Sequence, residues 1–207
     1  MKPARPKDAA SLVIVRGRGP EAQVLLGRRE PKGRFMPNVW VFPGGSVDRG
    51  DADARALGEL RPGVRRALEH ESSPRRARAL AVAALRETYE ETGLCFGRVE
   101  DGQLLPELSC VRYLARAITP ARSPIRYHAR FFCAEQADAH GELVGNGELL
   151  ELAWFGIEEA LTLRIIDVTA FVLRQVMQDA RCDDPKVPLY CYRAGKPRVI
   201  RGRMPST

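Results

Sequence analysis

The sequence predicts an α/β protein of the α+β type. Short strand-like runs stand on both sides of one strongly patterned helix, and a second amphipathic helix follows late in the chain. No regular βαβ alternation and no internal duplication occurs, which argues against a doubly wound sheet. At 207 residues, a single domain over 1–207 is expected, with an excursion at about 52–78 and a basic C-terminal tail at about 182–207.

Taken in order, Ser11-Leu-Val-Ile-Val15 and Gln23-Val-Leu-Leu-Gly27 are apolar, β-branched runs separated by RGRGPEA, so they predict a hairpin. A Pro- and Gly-rich loop, EPKGRFMPN, leads to a strand at Val39-Trp-Val-Phe42, which the breaker Pro43-Gly44-Gly45 ends. Residues 52–78 are rich in Arg and Ala and interrupted at Pro62-Gly63 and Ser72-Ser-Pro74, predicting one or two short surface helices. The helix over 79–92 is the strongest pattern. At 100° per residue, Ala81, Leu85, Thr88, Tyr89 and Thr92 share one face and Glu87, Glu90 and Glu91 gather opposite, with Gly93 suited to end the helix. Strands are predicted at 111–116, 127–133 and 151–155. A helix is predicted over 164–181, burying Ile165, Val168, Phe171, Val172, Val176 and Ala180.

Composition narrows the function classes. Apolar stretches are too short to span a bilayer, and the basic N-terminus lacks the apolar core of a signal peptide, so no membrane partner and a cytoplasmic location are expected. Five cysteines without a CxxC pair suit reduced thiols, and three scattered histidines lack zinc-ligand spacing. The net charge of +7, mostly arginine, favours polyanions, and the guanidinium fork suits phosphate. Because the basic residues are spread along the chain without an aromatic stacking platform, a small phosphate-rich molecule fits better than nucleic acid.

The stretch Arg86-Glu-Thr-Tyr-Glu-Glu-Thr-Gly93 raises an electrostatic question. Glu87, Glu90 and Glu91 repel one another and sit at the helix C-terminus, where the macrodipole disfavours negative charge. A salt bridge from Arg86 to Glu90, one turn on, answers part of it. Glycines 44 and 45 add a place where backbone carbonyls can approach a ligand. Three carboxylates and a carbonyl form a hard oxygen site of the kind that suits Mg²⁺ or Mn²⁺.

These residues resemble the signature of the Nudix hydrolases, G-x5-E-x7-R-E-U-x-E-E-x-G-U with U a bulky aliphatic residue. Arg86–Leu94 matches its second half apart from Thr88 at an aliphatic position. Gly45–Asp51 resembles the first half, with Asp51 in place of the glutamate. Between Asp51 and Arg86 stand 34 residues where the signature has seven, which implies an insertion of 27. The flanks SLVIVRG…EAQVLLGRRE and ELAWFGIEEAL also resemble the family, so the similarity covers about residues 10–180. It implies an α/β/α sandwich with a mixed central sheet and a helical insertion. FMPNVWVFPGG followed by an insertion is similar to the peroxisomal coenzyme A diphosphatase branch, although the ending MPST is not a peroxisomal address.

The resemblance implies hydrolysis of a pyrophosphate bond in a nucleoside diphosphate linked to another moiety, with Mg²⁺ or Mn²⁺ as cofactor. Coenzyme A or its esters lead, ahead of ADP-ribose, dinucleotides and NADH; a nucleotide-sensing module without catalysis is the alternative. Carried over by position, Glu87, Glu90 and Glu91 and the Gly44 carbonyl would hold metal, with Glu87 alternatively activating water, and Arg86 would orient the carboxylates. The family's first acid is mainly structural, which is the expectation for Asp51. The general base in such proteins often lies on a later loop, here Glu148 in Gly145-Asn-Gly-Glu148, with Glu151 second. Arg28, Arg29 and Arg126 are candidates for substrate phosphate, while Trp40 and His128 are expected to be structural. The insertion, with seven Arg against four acids, is expected as a solvated excursion; a phosphate-recognising lid or a homodimer contact are the sharper readings.

Overall fold

A computed structural model describes residues 4–31, 37–178 and 187–201. The sheet is centred on β1 (Lys7–Arg16). It pairs antiparallel with β2 (Gln23–Arg29), while β3 (Trp40–Val41) continues the edge beyond β2. A three-residue strand, β4 (Gly44–Ser46), also lies against β1, with Gly44 opposite Ser11. Two helices follow, α1 (Pro62–Glu69) and α2 (Pro74–Thr92). A separate hairpin, β5 (Gly97–Glu100) with β6 (Gln103–Pro106), leads into β7 (Arg112–Ile118) and β8 (Tyr127–Glu135). β8 runs parallel to β1 over nine residue pairs, and β7 antiparallel to β8. β9 (Leu149–Gly156) pairs with β2, then α3 (Ile157–Thr162) and α4 (Asp167–Met177) precede β10 (Leu189–Arg193) and β11 (Lys196–Ile200). The main sheet is therefore mixed.

Alternation along β1 builds two cores. Ala10, Leu12 and Ile14 join Leu80, Ala84 and Leu85 of α2, whereas Val13 and Val15 join Phe171 and Val172 of α4. The sheet is thus sandwiched between helices, and the alanines of α2, fully buried at 81, 83 and 84, bring that helix close to β1. Among the described residues, no helix is long and apolar enough to cross a membrane.

Several expectations change. The helix predicted over 79–92 begins at Pro74, because Ser73 caps it by accepting from the Arg76 amide, so residues 74–78 belong to the helix. The preceding segment is docked as well: α1 buries Val64, Ala67 and Leu68, and the Leu57 amide donates to the Pro106 carbonyl at 2.9 Å. Pro43-Gly44-Gly45 is not simply a breaker, since the glycines form β4. Residues 164–166 lie outside the last helix, and Ala180 and Arg181 lie outside the described residues. Part of the expected basic tail is the β10–β11 hairpin, in which β10 adds parallel to β7.

Candidate active site

The site is assembled around the last two turns of α2. Thr88 and Thr92 are fully buried there without orphan hydroxyls, because Thr88 Oγ1 donates to the Ala84 carbonyl (2.7 Å) and Thr92 Oγ1 to the Thr88 carbonyl (2.6 Å). That is how a threonine tolerates the place of an aliphatic residue. Gly93, at φ +74°, closes the helix in the left-handed region, its amide donating to the Tyr89 carbonyl.

Arg86 is the hub. Its Nε donates to Asp51 Oδ1 (2.9 Å) and Nη2 to Asp51 Oδ2 (3.2 Å), while Nη1 donates to Glu87 Oε1 and Glu90 Oε2 (3.0 Å each). Nη2 also reaches the Ser46 carbonyl at 3.2 Å. Asp51 is itself 3% exposed and accepts the Asp48 amide at 2.7 Å, as half of a capping box with Asp48. Sequence reading singled out neither Asp48 nor Ser46, although the D-x-x-D spacing is a capping signal.

The glycine strand lies against the acids. A Cβ on Gly45 would stand 2.5 Å from the Glu87 carboxylate, so any larger residue there would push that carboxylate aside. Gly44, at φ +148°, would place a Cβ 2.4 Å from the Ala10 carbonyl oxygen, and its amide donates to Glu91 Oε2 at 2.8 Å. The three glutamates grouped on one face by the helical pattern differ in exposure. Glu91 is 6% exposed, because β4 covers that side of the helix, whereas Glu90 stays half-exposed. Burial pushes the Glu91 carboxyl up to about 8 against the pull of the Gly44 amide, with Glu87 and Glu148 adding repulsion and Arg29 opposing it. Burial also raises Glu87, against Arg86.

Glu148 is exposed at the end of a loop fastened to the end of α2. The Val144 amide donates to the Thr92 carbonyl (2.9 Å), and Cys95 and His140 exchange both backbone bonds at 2.8 Å. Gly93 and Gly141 interlock: a Cβ on the first would meet the Glu142 carbonyl oxygen at 2.6 Å, and on the second the Gly93 oxygen at 2.7 Å.

Among the candidate arginines, Arg29 contributes its charge at Glu91. Arg28 is held by Asn38 Oδ1 (3.0 Å) and by both carboxylate oxygens of Glu151. Asn38 and Glu151 both take positive φ, a conformation unusual outside glycine. Arg126 is spent on backbone, donating to the Ala4 carbonyl (2.6 Å) and twice to the Thr119 carbonyl (3.3 Å). Trp40 packs edge-on to Phe155 at 4.9 Å, and His128 is packed within the fold with Nε2 enclosed.

Residues 75–176 match the NUDIX domain family model. That segment is similar to a Nudix domain. A NUDIX hydrolase from Alicyclobacillus acidocaldarius is similar at 28% identity, covering 87% of this chain and 93% of its own, with a TM-score of 0.65. The MutT NUDIX hydrolase of Burkholderia pseudomallei (22% identity, 84% and 99% covered, TM-score 0.51) shares the fold. So does the NUDIX domain of Shewanella oneidensis NrtR, solved with ADP ribose (13%, 85% and 89%, 0.51). No protein of curated function matches the sequence. The domain match and the hydrolase relative support a pyrophosphohydrolase. Because the family match begins at residue 75, Gly45–Asp51 lies outside it, and the Arg86–Asp51 pair joins that segment to the matched part.

Nudix hydrolases generally use divalent metal ions. Among the described residues, no three His, Cys, Asp or Glu side chains converge closely enough to hold an ion as they stand. The donor chemistry nevertheless fits: Arg86 engages only one oxygen each of Glu87 and Glu90, and hard carboxylate oxygens beside a backbone carbonyl suit a divalent cation.

Proposed function

We propose that this Nudix domain hydrolyses the pyrophosphate bond of a nucleoside diphosphate linked to a second moiety, with coenzyme A or an acyl-CoA first among substrates. The reading is supported above all by the apposition of Gly45 and Glu87, in which the carboxylate occupies the space that a side chain at residue 45 would take. The substrate preference rests on FMPNVWVFPGG and the long segment between Asp51 and Arg86; ADP-ribose, dinucleotides and NADH follow it.

Glu87, Glu90 and Glu91, with the Gly44 carbonyl, would hold Mg²⁺ or Mn²⁺. When bound, such an ion polarises a phosphoryl oxygen and acidifies water. The protein's own residues prepare the site. Arg86 holds Glu87 and Glu90 side by side while anchored on Asp51, and the carboxylates would close further around a bound ion. Glu91 carries a proton near neutral pH and must release it to act as a ligand. Glu148, exposed yet close enough to raise Glu91, would accept the proton of attacking water. Arg29 offers charge beside the acids, and Arg28 can exchange Glu151 for a substrate phosphate.

The test is turnover of CoA, acyl-CoA, ADP-ribose, dinucleotides and NADH with Mg²⁺ or Mn²⁺, beside Glu90→Gln. Cleavage of CoA-type substrates that disappears in the variant is expected. Binding without turnover of any of them would instead mark a nucleotide-sensing module, and turnover surviving Glu90→Gln would remove Glu90 from the metal set.

A further inference from the structure

Four buried side-chain atoms have no hydrogen-bond partner among the described residues: Glu71 Oε2, Tyr113 Oη, Arg116 Nε and His128 Nε2. They come from the α1–α2 link, from β7 and from β8, and they form one group. Tyr113 feels the charges of Glu71, Arg130 and Arg116, and His128 those of Arg130 and Arg116. Arg116 Nε stands 2.8 Å from Glu71 Oε1 without the alignment of a hydrogen bond. Arg130 stands close enough to the Tyr113 hydroxyl to stabilise its charged form, but outside the geometry of a full hydrogen bond. Tyr113 is 1% exposed. A buried polar group left without a partner costs free energy, so several in one place call for a partner that the protein atoms do not supply.

The surrounding groups are already satisfied. Arg130, itself buried, donates to Asp8 Oδ1 (2.8 Å) and to the His128 carbonyl (2.9 Å), and Arg76 also pairs with Asp8. We propose that Glu71, Tyr113, Arg116 and His128 line an enclosed hydration site that holds at least one ordered water where the α1–α2 link meets the sheet. Arg116 and Tyr113 can donate to it, and Glu71 can only accept from it unless protonated. An anion would suit the donors but meet the Glu71 carboxylate, and a cation would meet the guanidiniums of Arg116 and Arg130. Water satisfies both kinds of group. His128 fits the same choice, because burial and the nearby guanidiniums push it down to about 3 and keep it neutral. The segment between Asp51 and Arg86 is then joined to the sandwich through solvent as well as through the apolar side of α1.

Oxygen-17 relaxation dispersion on the full-length protein tests this, since it detects only long-lived internal water. A dispersion in the wild type that weakens in Tyr113→Phe and in Glu71→Leu is expected; its absence from the wild type, or its persistence undiminished in both folded variants, overturns the proposal. A high-resolution crystal structure decides the case where the variants do not fold. Solvent density within hydrogen-bonding distance of at least two of the four atoms supports the site. Direct bonding among them with no density between, or an anomalous peak there after a bromide soak, overturns it.

Discussion

Arg86 Nε meets Asp51 Oδ1 at 2.9 Å although the two residues are 35 positions apart. This contact closes the two halves of the Nudix signature across α1, and both partners are largely withdrawn from water, Arg86 at 21% and Asp51 at 3% side-chain exposure. Removing one partner of such a pair leaves the other charged and buried. Arg86→Ala should therefore destabilise the fold by about 3 kcal/mol, and Arg86→Lys should not restore it, because a single ammonium cannot reproduce the fork between Asp51 and the two glutamates. Urea unfolding midpoints of the two variants check this; a Lys variant as stable as wild type would contradict it.

Gly45 and Gly50 provide a contrast within one segment. An added methyl meets the Glu87 carboxylate at Gly45 and nothing within 4 Å at Gly50. Gly45→Ala should displace Glu87 and reduce metal-dependent turnover by about 100-fold, the cost of misplacing a reacting constellation by an ångström. Gly50→Ala should remain near wild type. Steady-state kinetics with circular dichroism separate a lost site from a lost fold.

Not all of this was legible in the sequence. The hairpin β1–β2, the strands β7 and β8 and the acidic end of α2 follow from periodicity, because their apolar faces repeat at the period of the element. β4 does not. Gly44-Gly45 has no side chains to show a pattern, and its pairing with Ser11 and Ala10 is decided by a strand more than thirty residues earlier. Glu91 misled for a related reason. A helical wheel groups it with Glu87 and Glu90, but α2 is covered by β4 as well as by the sheet, so the boundary between wet and dry faces falls between Glu90 and Glu91. β11 was missed because Lys196-Pro-Arg-Val-Ile200 is an exposed edge strand, where charge and proline are favoured over alternation.

Glu91 sets a pH dependence for the protein held in chelator. Its folded value of about 8 lies above the ordinary carboxylate value of about 4.3, so the folded state binds more protons than the unfolded state between them. The protonated Glu91 therefore contributes stability that is fully present below the unfolded value and is lost as pH rises through about 8. Glu91→Gln should flatten that decline and raise the melting temperature at pH 8 and above. Melting curves in EDTA from about pH 4 to about pH 9, a range spanning both values, read the slope, and an equal decline in both proteins would remove Glu91 as its source.

Glu148 is the residue whose role the chemistry tests most directly. Its side chain is exposed, with its backbone amide capped by Asn146 Oδ1 at 2.9 Å, so Glu148→Gln should change stability by no more than about 0.5 kcal/mol. If it accepts a proton from attacking water, kcat should fall by about 100- to 10,000-fold while the affinity for Mn²⁺ measured by calorimetry stays close to wild type. Loss of Mn²⁺ affinity in step with kcat would make Glu148 a ligand instead, and unchanged kcat would pass the role to another residue of the loop.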